Sequence, residues 1–188
     1  HTDLLFNKKI PHPFYGDNEQ RLQWIDTCEW EYDAWFNIND SVLQRNHCEL
    51  IFEGLDTYAK VFLNNQLLLS ADNMFRTWKV NCKKYLRPDQ NHLLIRFEPA
   101  SIKGKAAAKK LPYTLPGEEK IFTRKAQYQY GWDWGPRFVS CGIWRPVKIV
   151  FWNSMRMNDV HLITEQLTDS VANLIAEVNL TVENATTV

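Results

Sequence analysis

The chain has 188 residues, with 22 Lys plus Arg against 22 Asp plus Glu, so its formal net charge at pH 7 is zero, and that balance argues against a nucleic-acid partner. Hydrophobic residues make up 45% and charged residues 23%, the proportions of a soluble globular protein that builds its own core, and no apolar run approaches the ~20 residues of a membrane helix. Aromatic residues are the outlier at 13%, with 8 Trp, a composition suited to aromatic-rich sheets or to carbohydrate contact.

The chain opens at His1 rather than Met, as a cut or processed chain does, so a targeting peptide cannot be read from it. Residues 1–27, with Pro11, Pro13 and the turn cluster from Phe14 to Asn18, read as irregular. From Cys28 the period becomes two: Trp30, Tyr32, Ala34 and Phe36 share one face, and Glu29, Glu31 and Asp33 the other, which predicts a half-buried strand. Residues 48–53 alternate in the same way, and residues 59–63 and 67–69 flank Asn64-Asn65-Gln66 as a hairpin. Residues 77–86 and 92–97 read as two further strands around the turn 87–90. Residues 101–120, basic and Ala-rich and then Pro-rich, read as a long excursion holding at most one helical turn, and residues 142–152 as a strand covered on both faces.

Short strands, many turns and little helical period predict an all-β fold, a β-sandwich of jelly-roll type, over residues 1–153. After Asn153-Ser154 the pattern restarts, with alternation at 160–164 and 172–182. Two strands alone are marginally stable in water, so residues 154–188 read as the first strands of a second sandwich that continues past Val188. The four cysteines, Cys28, Cys48, Cys82 and Cys141, form no CxxC pair and lack metal-ligand spacing, which argues against zinc and thioredoxin-like chemistry and leaves buried thiols as the expectation.

The densest stretch runs Arg124-Lys125-Ala126-Gln127-Tyr128-Gln129-Tyr130-Gly131-Trp132-Asp133-Trp134-Gly135-Pro136, and Gly142-Ile143-Trp144-Arg145-Pro146-Val147 follows. Trp132-Asp133-Trp134 between glycines makes a constrained turn that can present an indole face and a carboxylate together. Such a pair suits a sugar, whose C–H face packs on an aromatic ring while its hydroxyls donate to the carboxylate. The competing reading buries both Trp in the core and has Asp133 cap its own turn. Glu29, Glu31 and Asp33 read as a solvated outer strand face, the scattered histidines His12, His47, His92 and His161 as surface or packing residues, and Asp72-Asn73 as a turn at a strand end.

The order Arg-Lys-Ala-Gln-Tyr-x-Tyr-Gly-Trp-Asp-Trp-Gly-Pro, then Gly-Ile-Trp-Arg-Pro-Val, resembles the signature near the end of the N-terminal domain of β-mannosidases in glycoside hydrolase family 2. Pro13 to Glu19, Trp30-Glu31-Tyr32, the stretch from Phe52 to Asn64 and Ala71 to Phe75 resemble the same family in the same order. The likeness covers residues 1–153 and leans to the bacterial members, with the family's opening strand missing upstream of His1.

The resemblance implies a galactose-binding-like jelly roll, then an immunoglobulin-like sandwich beginning near Ser154, then a (β/α)8 barrel carrying two catalytic Glu. Retaining glycosidases need two carboxyl groups about 5 to 5.5 Å apart, and a barrel takes about 250 residues, so neither catalytic residue lies in this chain and the fragment alone is expected to be inactive. Carried over by position, Trp132 borders the terminal mannose and Asp133 accepts from its hydroxyls. Trp134 and Trp144 act as packing supports, and Arg124 as a loop anchor through ion pairing. The implied partners are a terminal β-mannoside and the barrel of the same parent chain, with no cofactor, metal, nucleic acid or membrane. The implied location is periplasmic or secreted for a bacterial source and lysosomal for an animal one. Residues 101–122 are shorter than in similar bacterial enzymes, which leaves specificity beyond the terminal sugar open. The rival readings are an independent carbohydrate-binding module and the same domain of a β-galactosidase or β-glucuronidase, since a jelly roll by itself does not fix function.

Overall fold

The computed structural model describes residues 1–183. Its strands, in chain order, are β1 (Trp30–Phe36), β2 (His47–Phe52), β3 (Leu55–Asp56), β4 (Tyr58–Leu63), β5 (Gln66–Ala71), β6 (Trp78–Asn81), β7 (Asn91–Glu98), β8 (Gly142–Ile143), β9 (Val147–Trp152), β10 (Met155–Leu167) and β11 (Ala172–Val182). One sheet has the order β1-β7-β4-β5 and another β6-β2-β9, while β3 and β8 form a short ladder at one end. Every strand pair is antiparallel.

Alternation decides what faces the core. On β4, Ala59, Val61 and Leu63 are buried, and they meet Ile95 and Phe97 of β7. From the other sheet Cys48, Leu50 and Phe52 of β2 join the same apolar cluster, so the two sheets pack face to face as a sandwich. Asn64 and Asn65 both take positive φ, 50° and 66°, the geometry of a two-residue hairpin turn that asparagine tolerates. All four cysteines are free thiols. Cys48 and Cys82 are wholly buried with their sulfurs 3.3 Å apart.

The all-β sandwich is therefore as expected, and four local expectations need correction. Residues 1–27 are not irregular: they fold as α1 (Thr2–Phe6), α2 (Asn18–Arg21) and a 3₁₀ turn, Gln23–Thr27. Leu22 and Ile25, one helical turn apart, bury against Ile10, and three residues of spacing is too short a signal to see in a Pro-rich stretch. The strand expected over 77–86 stops at Asn81, whose side chain accepts from the Lys83 amide at 3.2 Å and starts a 3₁₀ turn, Lys83–Tyr85. After α3 (Asp40–Leu43) and β7 comes a full helix, α4 (Ala100–Ala108), in place of a single turn. Its small residues Ala100, Ser101 and Gly104 are buried, and Gly104 lies so close to the Glu119 carbonyl that a side chain there has no room. The run 142–152 is two strands, because Trp144, Arg145 and Pro146 leave the ladder. Val147, Ile149 and Phe151 face the core, and Trp152 on the other side stacks on His47 at 5.1 Å.

Strands β10 and β11 form a long hairpin outside the sandwich. It is tied back by Arg156, whose Nη1 donates to Glu49 Oε2 at 2.7 Å.

Candidate functional site

The segment 123–140 crosses one end of the sandwich, and polar contacts hold both of its arms. On the incoming arm Thr123 is buried and its hydroxyl lies 2.8 Å from the Tyr130 hydroxyl. Burial, chiefly, pushes the Tyr130 phenol up to about 12. Lys125 is 2% exposed, and its ammonium donates to both carboxylate oxygens of Asp56, each at 2.6 Å, and to the Ser140 carbonyl. Burial pushes this ammonium's pKa down and the facing carboxylate opposes that push. Asp56 sits on β3, so the pair fastens the loop to the β3–β8 ladder.

Past the 3₁₀ turn Gln127–Tyr130, Gly131 takes φ 93°, a conformation that glycine adopts freely. There the chain turns outward. Trp132 N–H donates to the Gly135 carbonyl at 3.0 Å and Gly135 N–H donates back to Trp132 at 3.1 Å, so the four-residue turn is closed from both sides by backbone alone. Asp133 and Trp134 occupy its tip. Trp132 is 58% exposed and Trp134 87%, and Asp133 is exposed as well.

This placement removes the reading in which both Trp are core residues and Asp133 caps its turn. Trp134, at the tip of the two-residue turn, is not packed within the described residues.

On the outgoing arm Arg137 is the anchor. Its backbone N–H donates to Glu19 Oε1 at 2.7 Å, and its guanidinium reaches Asp26 Oδ2 at 2.7 Å and the Gln23 side chain. Ser140 Oγ then donates to Gln129 Oε1 at 3.1 Å, joining the two arms.

Arg124 meets the loop through its backbone among the described residues. Its side chain is exposed and forms no ion pair among the described residues; its backbone carbonyl accepts from Met74 N–H at 3.0 Å, beside the bridge to Asn73. Trp144 serves that same segment, since its indole N–H donates to the Met74 carbonyl at 2.9 Å and the Arg145 guanidinium lies 4.2 Å from its ring centre. Asn73 forms the expected turn, accepting from Phe75 N–H at 2.9 Å. Gly54 allows the indole its position: a Cβ there falls inside contact distance of the Trp144 ring. Gly54→Ala is therefore expected to displace Trp144 and cost about 1–3 kcal/mol of domain stability, read as a lower urea midpoint with altered Trp fluorescence.

Asp56, Lys125, Gln129 and Arg137 escaped the reading of the sequence as site residues. Asp56 and Lys125 stand 69 positions apart, and no local pattern pairs a lysine in an aromatic stretch with an aspartate on a two-residue strand. The carboxylates on the outer face of β1 hold surface pairs: Glu31 accepts from Arg96 at 2.7 Å, and Asp33 lies 2.6 Å from His92, which stacks on Trp35.

A cleft of about 650 Å³ lies between α1 and the loop, lined by Phe14, Tyr32, Asp56, Gln129, Ser140 and Trp144 among others. The lining does not include Trp132 or Asp133, so the turn tip faces outward, away from this chain's own cavity.

The described residues thus form an antiparallel two-sheet sandwich with a firmly held turn at one end that exposes Trp132, Asp133 and Trp134. The chain belongs to the glycosyl hydrolase 2 galactose-binding domain-like family, whose model matches residues 1–145. It is similar to the protein named Beta-mannosidase B of Thermothelomyces thermophilus, 36% identical over 166 residues that are 86% of this chain and 19% of that one. It is similar also to Beta-mannosidase B of Aspergillus niger, 36% identical over 85% of this chain and 19% of the relative. Among solved structures, the β-D-mannosidase from Dictyoglomus thermophilum superposes with a TM-score of 0.90 at 37% identity, covering 96% of this chain and 23% of that one. An exo-chitosanase from Amycolatopsis orientalis, at 19% identity and a TM-score of 0.70, shares the fold. The chain thus spans about a fifth of the length of its relatives, and among the described residues no helix is long and apolar enough to cross a membrane.

Proposed function

We propose that the full-length protein containing this chain is a retaining exo-β-mannosidase that removes terminal non-reducing β-D-mannosyl residues, and that this domain contributes Trp132 and Asp133 to the terminal-sugar subsite. The observation that carries the reading is the turn 131–135, fastened on both arms and presenting an indole and a carboxylate away from the sandwich. A preorganised carboxylate accepts hydrogen bonds from sugar hydroxyls without reordering, and the indole face takes the C–H side of the ring. Binding energy placed on the non-reacting part of a sugar can raise the rate at the reacting carbon. The names of the relatives support the choice of mannoside.

The reaction itself belongs to a (β/α)8 barrel elsewhere in the same parent chain, and the isolated chain is inactive. In this reading residues 154–188, of which 184–188 lie outside the described residues, belong to a second, immunoglobulin-like sandwich. Leu162, Leu174, Ile175, Val178 and Leu180 of the hairpin are exposed, as strands awaiting a covering sheet are. A secreted or periplasmic location, or the lysosome in an animal, goes with this reading.

The test is hydrolysis of aryl β-mannoside, β-galactoside and β-glucuronide by the full-length protein, with the 188-residue chain as control. Cleavage of the mannoside alone, with the isolated chain inert, is the expected result. Cleavage of another glycoside in its place, or of none while the chain binds mannan, replaces the reading with one of its rivals.

A further inference from the structure

We infer that Gln129 is a positioning residue: it locks the two arms of the turn 131–135 together over the buried Lys125–Asp56 pair and so sets where Trp132 and Asp133 stand. The inference rests on the sugar-contact reading above.

An ionised carboxylate has room for about four donors. Asp56 Oδ1 accepts from Thr57 and Lys125, and Oδ2 accepts from Lys125 and, at 3.0 Å, from Gln129 Nε2. Gln129 thus makes the fourth bond, and of the three donating side chains it is the one carried by the 3₁₀ turn that leads directly into Gly131. Its other atom, Oε1, accepts from Ser140 Oγ at 3.1 Å, while the Ser140 carbonyl accepts from Lys125. One side chain therefore ties the incoming arm, the outgoing arm and the buried pair. Residues 131–136 loop out between Gln129 on one arm and the Arg137 anchor on the other. Gln129 is half-buried, on the wall of the cleft, so it can be changed without removing core volume.

A tie of this kind acts through position. Misplacing a sugar-contacting group by about 1 Å can cost roughly 10²-fold in rate, whereas loss of one neutral hydrogen bond and one to the Asp56 carboxylate lowers stability while Lys125 still compensates the buried charge.

The experiment is a double-mutant cycle in the full-length protein, with Gln129→Met, Asp133→Ala and the pair assayed on an aryl β-mannoside beside their melting temperatures. The expected result is a loss in kcat/KM of about 10-fold or more for Gln129→Met, with the domain still folded and its Tm lowered, and that kinetic loss shrinks to within about twofold when Asp133 is already Ala while the Tm shift persists. If Asp133→Ala alone leaves kcat/KM unchanged, the sugar-contact reading falls and the inference falls with it. If Asp133→Ala is costly but Gln129→Met is silent, or its cost is undiminished in the Asp133→Ala background, Gln129 is not positioning the turn and only the inference is overturned. Ser140→Ala, which removes the arm-to-arm bond alone, gives the same cycle should Gln129→Met fail to fold.

Discussion

Lys125→Met in the full-length protein is expected to cost this domain about 3–5 kcal/mol, because it strands the Asp56 carboxylate in the interior without its cation. Asp56 is 4% exposed and Lys125 2%, so water cannot take over the lost contact. Typical domains have only about 5–15 kcal/mol in all, and the variant should therefore show a sharply lowered urea midpoint for the tryptophan-reported transition. Replacing both partners, Lys125→Met with Asp56→Leu, removes the charge that was stranded. Buried pairs exchanged for apolar residues of similar volume are often close to neutral, so the double variant should recover much of the loss. It should not recover loop function, since Gln129 Nε2 and the Ser140 carbonyl lose their partners with it. A double variant no more stable than Lys125→Met would mean that the pair matters for something other than the uncompensated charge.

Asp133→Ala carries the second large effect, and it falls on kinetics. The carboxylate is exposed at the tip of a turn whose closing hydrogen bonds are both backbone, so its removal leaves the turn intact. In the assembled subsite its loss is expected to lower kcat/KM for an aryl β-mannoside by about 10²-fold or more, with the melting temperature unchanged. A domain that serves only as scaffold predicts that neither kcat/KM nor stability changes, since the Asp133 side chain closes no bond of the turn. Steady-state kinetics and thermal unfolding on the same preparation separate the two.

Much of the sandwich was legible because period-two alternation is a strong signal where one face is buried. The patterns around Cys48, Ala59 and His92 correspond to β2, β4 and β7, and Asn64-Asn65 marks its hairpin. Helical pieces were not legible at the start of the chain: α1 and α2 have five and four residues, too short for a periodic pattern, and their stability comes from Ile10, Leu22 and Ile25 meeting in space. The Ala-rich helix α4 was understated because Pro112 and Pro116 nearby read as loop.

At the site, the sequence marked a constrained turn at Trp132-Asp133-Trp134, and the structure closes one there with all three side chains exposed, while the contacts that hold its arms are tertiary. Arg124, the more conspicuous charge, contributes backbone, while its neighbour Lys125 goes inside. Which of two adjacent basic residues points inward depends on a partner 69 positions away. Trp144 supports the site through a hydrogen bond to Met74, a role that its position in the motif allowed without specifying the partner.

If the proposed function holds, the turn 131–135 completes the terminal-sugar subsite of the full-length protein. The most direct measurement is a crystal structure of that protein with a mannose-configured inhibitor bound. The account predicts the Asp133 carboxylate within hydrogen-bond distance of a ring hydroxyl, about 2.5–3.0 Å, with the Trp132 indole alongside the sugar. A bound inhibitor that leaves Asp133 in solvent and the turn remote from the sugar would contradict it.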